Sequence, residues 1–201
     1  MLRNIIAFAA SAFLSTAAFA LPVIGKPAPD FTATDTLSGK IIHLADFRGK
    51  IVVLEATNPE CPFVKKHYGS GNMQHLQEAA AKDGVVWISF NASAKGKEGY
   101  LETALDAQAS VSEHNAHPSH YILDHEGSIG HLYDAKTTPH MYVIDQSGNL
   151  AYMGAIDDKA TADPDDIKDA KNYVTEAIAA LKAGKTVAIK QTKPYGCFVK
   201  Y

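Results

Sequence analysis

Two cysteines in 201 residues, Cys61 and Cys197, exclude a disulfide-dense scaffold and leave one possible intrachain pair. Arginine is nearly missing, since Arg48 is the only one after Arg3. That scarcity, with a net charge of -3, excludes the clustered basic surface of a nucleic-acid binder. Beyond residue 20 no run approaches 18 apolar residues without a charge, so no later segment is expected to span a membrane. No glycine-rich phosphate loop follows a strand, and "SAKGKEGY" (Ser93 to Tyr100) lacks the Walker spacing. Repeats, low-complexity tracts and an internal domain boundary are also missing.

The first 20 residues read as a signal peptide. Arg3 gives a short basic start, Ile5 to Phe19 is almost all apolar or small, and Ala18-Phe19-Ala20 fits a signal peptidase site. The expectation is residues 1–20 as signal peptide and residues 21–201 as one domain. That places the mature protein in the periplasm or outside the cell, with no stable membrane anchor after cleavage. An oxidising compartment allows the two cysteines to form either a structural disulfide or a working dithiol.

Apolar patterning supplies the elements. "KIVVLEAT" places a buried strand at Ile51 to Glu55, and "VVWISF" places another at Val85 to Phe90. Pro62 to Asp83 carries helical spacing through Val64, Tyr68, Met73, Leu76 and Ala79. A second helix is expected over Glu98 to Val111, and a short strand over Tyr121 to Asp124. "MYVID" and Leu150 to Ile156 form a hairpin around "QSGN". Asp165 to Ala183 is expected as one long helix with acidic residues at its start. This order implies an α/β fold, a central mixed sheet with helices on both faces.

In "TNPECPFVKKHY", Cys61 follows a buried strand by a short turn and precedes Pro62, a good first residue of a helix. Its sulfur therefore stands at a helix N-terminus, where unpaired N–H groups favour a thiolate. Lys65 and Lys66 add positive charge about a turn away, and Glu60 opposes it if turned inward. A small buried cysteine is the bland alternative. His67 is not on the face of Cys61 and is not expected to act as its base. Pro139, just before a strand, belongs at a strand start. A cis bond before it would present backbone polar groups beside the thiol.

These stretches resemble the thioredoxin-like superfamily in its redoxin or AhpC/TSA branch. The resemblance rests on "GKPAPDFTATD", "FRGKIVVLEAT", "NPECPF" and "DAKTTPHMYVIDQSGNLAYMGAIDD" in that order. "PECPFVK" together with "YGCFVKY" is similar to a peroxiredoxin-like subgroup with a C-terminal Gly-Cys motif. The resemblance implies a thioredoxin-like three-layer sandwich, with Cys61 as nucleophile and Pro139 as the active-site cis-proline. Thr138 would offer backbone hydrogen bonds to a substrate, and Asn58 would orient the turn around the sulfur. The chain departs from thioredoxin in having Val64 where Cys-x-x-Cys requires its second cysteine. It departs from typical peroxiredoxins in having Asn58 three residues before Cys61 and no arginine after Arg48. Disulfide exchange is accordingly the more expected chemistry, ahead of efficient peroxide reduction.

Cys197 has three readings. It resolves an intermediate on Cys61, it forms a static disulfide pinning the tail, or it stays apart from Cys61 except in a metal site. Thiolate and imidazole ligands favour copper, which makes Cys61, Cys197 and His140 a candidate metal set. His114, His117 and His120 lie in a loop interrupted by Pro118 and are a weaker one. The expected function is a secreted thiol-disulfide oxidoreductase or peroxiredoxin-like protein without organic cofactor. Its partners would be a disulfide-bearing protein or a small thiol or peroxide, and an external reductant. A copper-binding protein and a non-enzymatic binding module remain the rival expectations.

Overall fold

The computed structural model describes residues 21–201; the expected signal peptide lies outside the described residues. The strands are β1 (Thr32–Thr34), β2 (Ile41–His43), β3 (Val52–Ala56), β4 (Val86–Asn91), β5 (His120–Leu123), β6 (Thr137–Thr138), β7 (His140–Ile144), β8 (Leu150–Gly154) and β9 (Cys197–Phe198). The helices are α1 (Pro62–Gly69), α2 (Asn72–Lys82), α3 (Ala104–Glu113), α4 (Ser128–Leu132) and α5 (Tyr173–Lys182). The central sheet has the order β5-β4-β3-β7-β8. β3, β4 and β5 run parallel, while β7 and β8 are antiparallel additions.

The sheet is buried on both faces because its inner strands are apolar at odd and even positions alike. One face turns Val52, Leu54, Ile88, Phe90 and Tyr142 toward the N-terminal segment and α4, through Phe31, Leu44 and Ile129. The other turns Val53, Trp87, Met141 and Val143 toward α1, α2 and α5, through Val64, Met73, Ala80, Val174 and Ala177. This is the expected mixed sheet between helical layers.

Three helix expectations change. The helix expected over Pro62 to Asp83 is two helices. Gly71 takes φ +79, a left-handed conformation that ends one helix and begins the next. The helix expected from Glu98 starts at Ala104. Thr103 caps it in a reciprocal box, its hydroxyl accepting from Asp106 N–H and Asp106 Oδ2 accepting from Thr103 N–H. The long helix expected from Asp165 is a 3-10 segment, Pro164–Asp169, followed by α5, whose cap is Asn172 accepting from Thr175 N–H at 2.9 Å. In each case a local cap or turn overrode a continuing apolar period.

Candidate redox site

β3, the middle strand of the sheet, ends at Ala56, and the turn Thr57–Glu60 delivers Cys61 as the N-cap of α1. Asn58 shapes this turn. Its Oδ1 accepts from Glu60 N–H at 2.8 Å, and its Nδ2 donates to Glu98 O at 3.0 Å and to Ser93 Oγ at 3.3 Å. Cys61 N–H donates to the Asn58 carbonyl at 3.1 Å. Glu60 does not turn toward the sulfur, since its Oε2 accepts from Gly99 N–H at 3.1 Å.

Cys61 is 1% exposed. Its sulfur lies 3.0 Å from the Thr138 carbonyl and 2.7 Å from the Cys197 sulfur. Both thiols are free. A move of under about 1 Å would bring the pair to the sulfur separation of a disulfide. The Thr138-Pro139 bond is cis. Thr138 pairs antiparallel with Cys197, and Thr137 with Phe198, so the tail adds a strand to β6. The backbone that sequence reasoning offers to a substrate is thus taken up by the chain's own tail. The Thr138 hydroxyl is buried without a hydrogen-bond partner.

The tail from residue 191 to 201 is strapped down on both sides of Cys197. Thr192 Oγ1 accepts from Ala155 N–H at 2.9 Å and lies 2.6 Å from the Tyr152 hydroxyl. The Tyr195 hydroxyl donates to Asp157 Oδ1 at 2.5 Å. Val199 N–H donates to Lys136 O, and Lys200 O accepts from Ala94 N–H. Tyr201 stacks on His131 at 4.0 Å and donates to Ala135 O at 3.0 Å. Burial, the hydrogen bond to Cys61 and the charge at Cys61 push the Cys197 thiol up to about 12. Cys197 therefore meets its partner as a protonated thiol.

Several expected contributors stand elsewhere. Lys66 is buried, but its ammonium donates to Lys159 O at 2.8 Å and lies over the Tyr195 ring, not at the sulfur. Lys65 is exposed. Arg48 lies before β3, at the end opposite Cys61, and donates to Ser147 O. His140 is buried, with Nδ1 2.8 Å from the Tyr142 hydroxyl, and burial lowers it to about 4, the Lys136 charge adding to this and Asp134 opposing it. Among the described residues no three Cys, His, Asp or Glu side chains gather in metal-binding geometry. The set Cys61, Cys197 and His140 does not assemble; only its two sulfurs meet. The three loop histidines disperse to Ser110 O, Glu78 and Asp35.

Sequence reasoning missed two polar centres beneath this site. Glu55 is fully buried on β3, where it accepts from Tyr68, Trp87 Nε1 and Ser89 at 2.8 to 3.1 Å. Burial raises its carboxyl against those lowering hydrogen bonds. The second is Asp157 with Tyr195 and His67. Burial, with the Lys66 charge adding to it, holds His67 near 3, so its ring is neutral. A carboxylate within a strand run and one in the loop after β8 carry no sequence signal of their partners.

A model of the AhpC/TSA family matches residues 24–153. This chain belongs to the AhpC/TSA family. The matched segment takes in Asn58, Cys61, Thr138 and Pro139 and ends before Cys197. A 33-residue stretch is 64% identical to peroxiredoxin-2 of Cricetulus griseus, covering 15% of this chain and 17% of that protein. Among solved structures, an uncharacterized conserved protein from Geobacillus kaustophilus is similar with TM-score 0.71 and 26% identity, over 89% of this chain and 92% of its own. A hypothetical protein from Sinorhizobium meliloti matches with TM-score 0.74 and 24% identity, over 89% and 94% of the two chains. A protein assigned as the thiol:disulfide interchange protein DsbE from Chlorobium tepidum matches with TM-score 0.54 and 23% identity, over 66% and 84%. The fold is thioredoxin-like, and this redoxin-family frame is what holds Cys61 beside the cis-proline.

Proposed function

We propose that this redoxin is a thiol-disulfide oxidoreductase of an exported, oxidising compartment, in which Cys61 is the reacting sulfur and Cys197 closes the cycle. The 2.7 Å approach of the two sulfurs across the cis-proline strand carries this reading. The raised Cys197 thiol suits the second step rather than the first. The export reading rests on the apolar leader sequence alone.

With a disulfide substrate, the Cys61 thiolate attacks one sulfur, the substrate S–S bond breaks and a thiolate leaves. Cys197, giving up its proton, attacks the Cys61 sulfur of the mixed disulfide. The Cys61–Cys197 bond forms and the second substrate thiolate leaves. With a hydroperoxide, Cys61 takes one oxygen and an alcohol departs; Cys197 then attacks the sulfenic sulfur and water departs. An external dithiol reduces the bridge in either case. Pro139 and Thr138 wall the sulfur pair, and Asn58 fixes the turn that presents Cys61.

The test is oxidation of residues 21–201 with oxidised glutathione or hydrogen peroxide, read by intact mass and non-reducing peptide mapping. A Cys61–Cys197 bridge lost in C61S and C197S, and titrating with working dithiols, supports the cycle. In C197S, Cys61 would instead retain a glutathione adduct or a trappable sulfenic acid. A bridge that resists reduction below about -300 mV would make the disulfide structural. Free thiols after oxidation would end the two-cysteine reading.

A further inference from the structure

Tyr195 stands two residues before Cys197, and its phenol is sunk into a pocket that the redox chemistry does not use. Its hydroxyl donates to Asp157 Oδ1 at 2.5 Å, and that carboxylate is 2% exposed. Asp157 Oδ1 also accepts from Lys159 N–H, while Oδ2 is buried without a hydrogen-bond partner. The rest of the pocket comes from α1. Phe63 packs its ring 5.9 Å from the Tyr195 ring, the Lys66 ammonium sits 5.8 Å from the ring centre, and His67 Nε2 lies 3.3 Å from the hydroxyl. Asn72 Nδ2 lies 2.9 Å from His67 Nδ1, an approach that leaves the imidazole proton on Nε2, facing the phenol and Asp157.

We infer that Tyr195 is a positioning residue, and that its hydroxyl, bonded to Asp157 in the loop after β8 and set against His67 of α1, latches the tail to the helix that follows Cys61 so that Cys197 is held over the reacting sulfur. The inference rests on the two-cysteine reading above for its meaning, but the latch itself is a property of the reduced protein. Thr192 ties the tail to β8 and Ala155, and Tyr201 ties it beside α4. Apart from the sulfur pair, the described hydrogen bonds join the tail to α1 through Tyr195. A buried carboxylate is costly, and a hydrogen bond to a charged group is among the stronger single interactions. Opening the latch lifts the segment that includes Cys197, and with it the cover over Cys61.

The latch is tested by labelling the reduced full domain with N-ethylmaleimide and following Cys61 by peptide mass. Cys61 reacts only from the open state, so its rate scales with the open fraction. Y195F keeps the ring packing and removes the hydroxyl. Losing a hydrogen bond to a carboxylate should raise the Cys61 rate about tenfold. D157N keeps an oxygen acceptor and should stay closer to wild type than Y195F. The melt of each reduced variant, followed by Trp87 fluorescence, separates a latch from a general stability role. A lower melting midpoint with Cys61 labelling raised less than about threefold overturns the latch. Failure of the wild type to form any bridge on oxidation would remove the two-cysteine reading and leave the labelling result standing.

Discussion

Gly196→Ala is the sharpest perturbation of the sulfur pair that leaves both sulfurs in place. Gly196 takes φ +137, a region that side-chain-bearing residues rarely enter. A Cβ there would meet the Thr138 carbonyl oxygen at 2.0 Å and the Thr138 carbonyl carbon at 2.8 Å. Both are backbone atoms beside the cis-proline, so no flexible side chain can give way. The φ strain costs about 1–3 kcal/mol. Opening the Thr138–Cys197 pairing to relieve the contact loses roughly another 1–2 kcal/mol of hydrogen bonding. At about 1.4 kcal/mol per tenfold, tail docking weakens by roughly 30-fold to a few thousand-fold. The assay is oxidation with one equivalent of oxidised glutathione, followed by maleimide quenching and intact mass. The expected product is a glutathione adduct on Cys61 in place of the bridge, with the reduced melting midpoint little changed because the strap adds only the partly buried Val199, Tyr195 and Cys197 to the margins of the two cores. Bridge formation within threefold of the wild-type rate would refute the reasoning.

Other outcomes follow from the buried polar groups. His67 and His140 are held near 3 and 4, below the ordinary imidazole value of 6.5, so their contribution to stability is present above pH 6.5 and lost as pH falls toward those values. Urea melts between pH 7 and pH 5 should show a loss approaching about 1.4 kcal/mol per pH unit from each, which H140Q would roughly halve; a flat profile would contradict it. The Glu55 carboxyl is raised by burial, so its contribution has the opposite sign, present at low pH and lost as pH rises through the raised value. E55Q should flatten the loss of stability that sets in as pH rises above the ordinary carboxyl value of 4.5, and an unchanged profile would show that Glu55 does not titrate on unfolding. N58A strips acceptors and donors from Glu60, Ser93 and Glu98 and should cost about 1–3 kcal/mol in a urea melt, with Cys61 labelling accelerated.

The sequence by itself determined the sheet strands, the helix start at Pro62 and the position of Cys61 between them. Each is written in local terms: a doubly apolar run, a proline whose missing N–H costs nothing, and a short turn joining them. It also determined the family, because "NPECPF" and the proline before "MYVID" are contiguous signals. It misjudged helix lengths where Gly71, Thr103 and Asn172 imposed ends that the apolar period runs through. Only the tertiary structure decided that Cys197, 136 residues from Cys61, comes to 2.7 Å, and that His140 does not join them. That meeting depends on a strand pairing between two residues of β6 and two of β9, on a glycine φ and on a buried Asp157–Tyr195 bond. Such contacts leave no periodicity in the chain, because each joins positions whose nearness exists only after the sheet has folded.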